Sequence, residues 1–189
     1  MRFATLLVLC AVMAVGANAD DKWPAGYVPG TPEYSGYRVG GEDCENAVVI
    51  AALPYTDTGN TCSFLHDYDE VCFYSGSLSP DVVYQYTPCG DGIVYMTLCT
   101  GITDYDTKLY VYQDECVPPF FACNDDECSG GFMFVSELMP VVLELGHTYY
   151  IIVDGYGSDC GNYTIDITGD EGGSPADSPT WGSIKALFK

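Results

Sequence analysis

The residues best suited to chemistry are acidic and lie at the ends of short apolar runs. Asp104 and Asp106 precede Leu109–Tyr112, Asn124, Asp125 and Asp126 follow Phe120–Cys123, and Asp154 closes a late run. Calcium takes six to eight oxygens from carboxylates and carbonyls, usually on turns. If the turns carrying Asp106 and Asp125 share one end of the fold, Asp104, Asp106, Asp125, Asp126 and Asp154 are the candidate ligands. Glu42, Asp43 and Glu45 could add to them. An EF-hand frame starting at Asp104 would place Glu115 last, but Lys108 and Leu109 stand where an oxygen ligand and a glycine are required. The competing account is that Asp and Asn are turn residues bonding their own backbone. Whether Asp106 and Asp125 face one another decides between the two.

Other chemistry is sparser. Tyr149, Tyr150 and Tyr156 cluster around Gly155-Tyr156-Gly157 and form a candidate platform for stacking on a ligand such as a sugar. Alternation places at least one of Tyr149 and Tyr150 in the core. Only two histidines occur, His66 in an acidic loop and His147 in a turn. There is no Gly-x-Ser-x-Gly elbow and no His-Glu-x-x-His zinc motif. Paired carboxylates of the glycosidase kind carry no information in a chain with 27 acids. The expectation is a protein that is not an enzyme.

These side chains need elements to hold them. Met1 to Ala19 has a basic start, an apolar run too short to span a bilayer and an Ala-x-Ala exit, as in a cleaved signal peptide. Of 6 Lys+Arg and 27 Asp+Glu, this segment takes away Arg2 alone, leaving 5 against 27, or −22. So acidic a chain repels nucleic acid and attracts cations. No membrane span is expected, and export to a secreted or cell-surface location follows. Removing Cys10 from ten cysteines leaves nine, a disulfide framework with one thiol left free or bonded to another chain. Zinc fails for want of a Cys-x-x-Cys pair. The shortest plausible loop is Cys116–Cys123, around Pro118-Pro119. Cys128–Cys160 is one further pairing among those the count allows.

Residues 20–40 form an extended Pro/Gly/aromatic lead-in, where prolines forbid helix and central strand. Short strands follow over 41–169: Ala47–Leu53, Asp81–Thr87, Ile93–Leu98, Leu109–Tyr112, Phe120–Cys123, Phe132–Leu138, Val141–Leu145, Thr148–Asp154 and Tyr163–Thr168. Sixteen tyrosines suit pleated, half-buried faces. The spacing predicts an all-β domain, a disulfide-stabilised antiparallel β-sandwich or jelly roll of about eight to nine strands. Residues 170–179 read as a linker. Residues 180–189 form an amphipathic basic tail, with Trp181, Ile184 and Phe188 on one helical face beside Lys185 and Lys189. It either docks to a partner or folds back on the acidic domain.

Several short pieces in order carry a resemblance: Cys44-Glu-Asn-Ala, Asp81-Val-Val-Tyr, Thr97-Leu-Cys, Tyr105-Asp-Thr-Lys-Leu-Tyr-Val-Tyr, Cys123-Asn-Asp-Asp, Gly146-His-Thr-Tyr-Tyr-Ile-Ile-Val-Asp-Gly and Gly161-Asn-Tyr-Thr-Ile. Together these resemble the bacterial pre-peptidase C-terminal domain, a β-sandwich appended to secreted proteases. The Tyr105–Tyr112 run is also similar to CUB domains, but Cys123–Asp126 suits the first family better. No peptidase domain precedes it here, so a stand-alone secreted member is expected. The resemblance implies a non-catalytic module, with calcium as the candidate cofactor and an extracellular protein or polysaccharide as ligand. A structural or surface-associated assembly protein docked through its tail is the alternative, and a small secreted hydrolase the second.

Overall fold

A computed structural model describes residues 40–129, 131 and 134–170. The expected signal segment, the lead-in up to Val39, the tail and all but the first residue of the linker lie outside the described residues, as do Gly130, Phe132 and Met133.

Nine strands and one short 3-10 turn, Thr61–Ser63, are described. The strands are β1 Val48–Ile50, β2 Tyr55–Asn60, β3 Val82–Tyr86, β4 Gly92–Thr97, β5 Thr107–Gln113, β6 Ala122–Asn124, β7 Glu137–Leu143, β8 Tyr149–Gly155 and β9 Asn162–Asp170. They form a five-stranded sheet in the order β1-β3-β8-β5-β6 and a four-stranded sheet in the order β2-β9-β4-β7. All pairings are antiparallel except β1 with β3. One core joins the sheets: Tyr84, Leu109, Val111, Ile151 and Val153 from the first, Val94, Met96, Leu143, Ile165 and Ile167 from the second. The fold is a β-sandwich.

The alternate residues of the first sheet are also buried. Val83, Tyr110, Tyr112 and Ile152 form a second apolar cluster on its outer face, with Tyr68, Cys44, Cys116 and Phe120 packed over it. Burial on both faces explains why β3, β5 and β8 are almost uninterruptedly apolar or aromatic. The roof is stapled down by Cys44–Cys116 and Cys72–Cys123, while Cys62–Cys160 and Cys99–Cys128 close the remaining loops.

This pairing corrects the expected one. Cys123 lies on β6 opposite Tyr110, whereas Cys116 lies in the β5–β6 connection, six residues beyond Tyr110. Each therefore reaches the roof instead of its neighbour. Cys128 and Cys160 likewise bond Cys99 and Cys62, not each other. No cysteine is free among the described residues, Cys89 being disulfide-bonded as well.

Two further differences concern strands. The polar run Tyr55–Asn60 forms β2, held to β9 by side-chain pairs Thr56–Asp166, Thr58–Thr164 and Asn60–Asn162 at 2.7–3.0 Å. Its inner face adds Asp57, whose Oδ2 accepts from Tyr55 and Tyr84, and Tyr84 shares a 2.7 Å hydrogen bond with Tyr163. Pro140 does not split two strands but lies within β7. That strand is an edge, and its register with β4 shifts between Val94 and Met96. Edges and bulges are where a residue lacking N–H is tolerated.

Candidate metal centre

Antiparallel pairing of β5 with β6 sets Leu109 opposite Asn124. The residues just before β5 and just after β6 therefore emerge at one end of the hairpin. Ser136 locks the two turns together: its hydroxyl donates to the carbonyls of Thr107 and Asp125, and its N–H to Thr107 Oγ1 at 2.8 Å. As a result Asp106, Asp125 and Asp126 present carboxylate oxygens all within 4.8 Å of one another.

Asp125 is 1% exposed, Asp106 half-buried and Asp126 exposed. Neither carboxylate oxygen of Asp125 has a hydrogen-bond partner, nor has Asp106 Oδ1. Burial pushes Asp106 up to about 6, helped by Asp126 and Asp159 and opposed by Lys108. Burial likewise pushes Asp125 up to about 6 against the pull of Lys108, with Asp126 and Asp106 adding to the rise. Asp126 is raised by burial alone.

A buried carboxylate without donors is costly to keep charged. Lys108 is the one Lys or Arg among the described residues and is wholly buried. Its ammonium donates to the carbonyls of Glu70 and Ser75 and lies 5.5 Å from the Tyr156 ring centre. Even with the whole of that charge credited to the three carboxylates, two negative charges remain. A divalent cation fits the residues present. The donors are all oxygen, which suits hard ions such as calcium. The second grouping of metal-ligating types, Cys99, Cys128 and Glu137, offers no thiolate because its sulfurs are bonded to each other.

The remaining acidic candidates are committed elsewhere. Asp104 accepts from the Asn162 backbone and side-chain N–H groups, both at 2.8 Å, and fixes the start of β9. Asp154 is fully buried and accepts from Ser77 Oγ, the Gly155 N–H and the Tyr110 hydroxyl at 2.7–3.0 Å. Asp43 bonds Asn46 within its own turn, and Glu42 accepts from the Leu65 N–H. Asn124 Oδ1 accepts from the Glu137 N–H at 3.1 Å and ties β6 to β7.

Of the three tyrosines, Tyr149 is fully buried in the sandwich core and cannot serve as a platform. Tyr150 is half-buried against the outer apolar cluster. Tyr156 alone reaches a pocket, of about 230 Å³, together with Tyr74, Phe134, Asp106 and Asp126. Tyr74 and Phe134 were not singled out in the sequence. The available signal was a pair of large rings in polar, glycine-bearing loops, Phe73-Tyr74-Ser75-Gly76 and the segment after Gly131. His147, on the exposed β7–β8 turn, places Nδ1 2.7 Å from Oδ2 of Asp114, which follows β5 and also accepts from the Thr148 N–H.

No protein-family model matches this chain, and no curated protein does. Among solved structures it is similar to the pre-peptidase C-terminal domain of collagenase from Bacillus anthracis, at 15% identity and a TM-score of 0.44, covering 64% of this chain and 93% of that one. The sandwich assignment rests on the two sheets and the core between them.

Proposed function

We propose that this protein is a secreted, non-enzymatic binding module of the pre-peptidase C-terminal kind, stabilised by calcium and directed at an extracellular protein or polysaccharide. The carrying observation is Asp125, buried with both carboxylate oxygens unpartnered beside two further carboxylates. Burying a charge without a counter-ion costs several kcal/mol, and a calcium ion held by Asp106, Asp125 and Asp126 offsets that cost. The signal-like leader and the disulfide framework support an oxidising, extracellular setting.

Thermal melting of the mature chain in millimolar calcium and in EDTA tests the cation. An ion at about 100 times its Kd stabilises by about 2.7 kcal/mol. For a chain this size that is a rise of roughly 5–10 °C. Asp125→Asn is expected to abolish the rise, whereas Asp104→Asn keeps it, because Asp104 only caps β9. A wild-type melt indifferent to calcium, or an Asp125→Asn variant that responds fully, would overturn the cation site.

A further inference from the structure

The carboxylate cluster opens onto the pocket that holds Tyr74, Phe134 and Tyr156, and these rings are unusually bare: 62%, 56% and 39% exposed. They come from three separate segments, yet each is fixed in place. Tyr74 lies two residues beyond Cys72, whose disulfide to Cys123 anchors the roof to β6. The Phe134 carbonyl accepts from the Thr107 N–H at 2.9 Å, and the Tyr156 N–H donates to the Asp106 carbonyl at 2.9 Å. The backbone carrying two of the rings is therefore tied to Asp106 and Thr107 at the carboxylate turn. Exposed large rings on tied-down backbone around a polar centre are the ordinary make-up of a small-ligand site.

The chemistry of the pocket narrows the ligand. Three carboxylate side chains fall short of the six to eight oxygens calcium takes, unless each binds through both oxygens. Asp106 and Asp126 are cluster members that also line the pocket, so oxygens of a ligand there can join the same ion. An anionic ligand is disfavoured by a chain of formal charge −21. Neutral hydroxyls are not. A molecule carrying adjacent hydroxyls on one edge and an apolar ring face for tyrosine is a neutral pyranose sugar. The pocket is smaller than the roughly 300–1,000 Å³ that encloses drug-sized ligands, so it takes one sugar ring, at an end or exposed position of a glycan.

We infer that Tyr74 and Tyr156 hold a neutral sugar whose vicinal hydroxyls complete the coordination of a cation bound by Asp106, Asp125 and Asp126. This rests on the cation site proposed above, and the experiment separates the two. The mature chain is probed with mannose, galactose and fucose and with neutral oligosaccharides built from them, by titration calorimetry and glycan array, in calcium and in EDTA. Wild type is expected to bind at least one neutral probe in calcium only. Tyr74→Ala and Tyr156→Ala are expected to weaken that binding about tenfold or more, while their calcium-induced rise in Tm is unchanged. Tyr156→Phe keeps the ring and is expected to keep binding. Tyr74 is mostly exposed, so its truncation leaves the fold intact even if that of Tyr156, which lies beside Lys108, does not. A calcium-induced rise with no neutral sugar bound, or with only sialylated or sulfated probes bound, overturns the sugar site and leaves the cation. Sugar binding that survives EDTA overturns the bridged geometry. Loss of the calcium response in wild type overturns both.

Discussion

Single carboxylates set the pH behaviour of this domain. Asp106 and Asp125 are held at about 6, above the ordinary value of 3.8, chiefly by burial, with Asp126 adding to both, Asp159 to Asp106 and Asp106 to Asp125, and Lys108 opposing. A raised carboxyl stabilises the fold fully below pH 3.8, and that contribution disappears as pH rises through about 6. In EDTA the Tm should therefore fall between pH 4 and 7. Loss of the same protons frees the ligand oxygens, so the calcium-induced rise should grow over pH 5 to 7. Asp81 gives a separate test. It is fully buried, its Oδ2 accepts from the Asp67 and Tyr68 N–H groups, and Oδ1 has no partner. Burial pushes it up to about 8, despite those two N–H groups. Asp81→Asn keeps the acceptor and removes the charge, so in urea melts it should match wild type below pH 3.8, where the carboxyl is protonated both folded and unfolded, and exceed it increasingly as pH rises to about 8. Asp81→Ala leaves two buried N–H groups unpaired and should fall about 1–3 kcal/mol below Asp81→Asn at either end of that range.

At the scale of elements, the roof over the first sheet depends on its disulfides more than on its own apolar contacts. Leu65, Val71, Phe73, Tyr74 and Leu78 within it are all more than 60% exposed. The Cys72–Cys123 bond spans 51 residues and Cys44–Cys116 spans 72; closing loops of that size stabilises by about 4–5 kcal/mol each. Replacing Cys72 and Cys123 by serine should lower stability by about that amount and speed hydrogen exchange over 64–80 before β5 and β8 respond. Much of the sheet architecture was legible in the sequence because β3, β4, β5, β8 and β9 carry period-2 or continuous apolar runs. β2 was not, because Thr56, Thr58 and Asn60 pair through hydroxyls and amides, which leave no hydrophobic signature. The convergence of Asp106 with Asp125 was legible as a condition, since hairpin arms share an end. Asp104, Asp154 and Tyr149 carry the same residue types but are spent on capping, a buried hydrogen-bond cluster and the core. Only the register, a long-range property, separates the two groups.

The whole molecule carries a formal charge of −21 on 189 residues, and its described part buries the one Lys or Arg it has. Self-repulsion on that scale is screened by salt: the Debye length falls from about 30 Å at 0.01 M to about 3 Å at 1 M. Sodium chloride should therefore raise the Tm of wild type and Asp125→Asn by equal amounts. Calcium should separate them, which marks a site apart from a general counter-ion effect.

Lys108 has a consequence outside electrostatics. Proteases of trypsin specificity need an accessible lysine or arginine, and between residues 40 and 170 this chain offers only Lys108, enclosed on an interior strand of a five-stranded sheet. While folded and oxidised, the described residues of the sandwich present such enzymes with no accessible lysine or arginine.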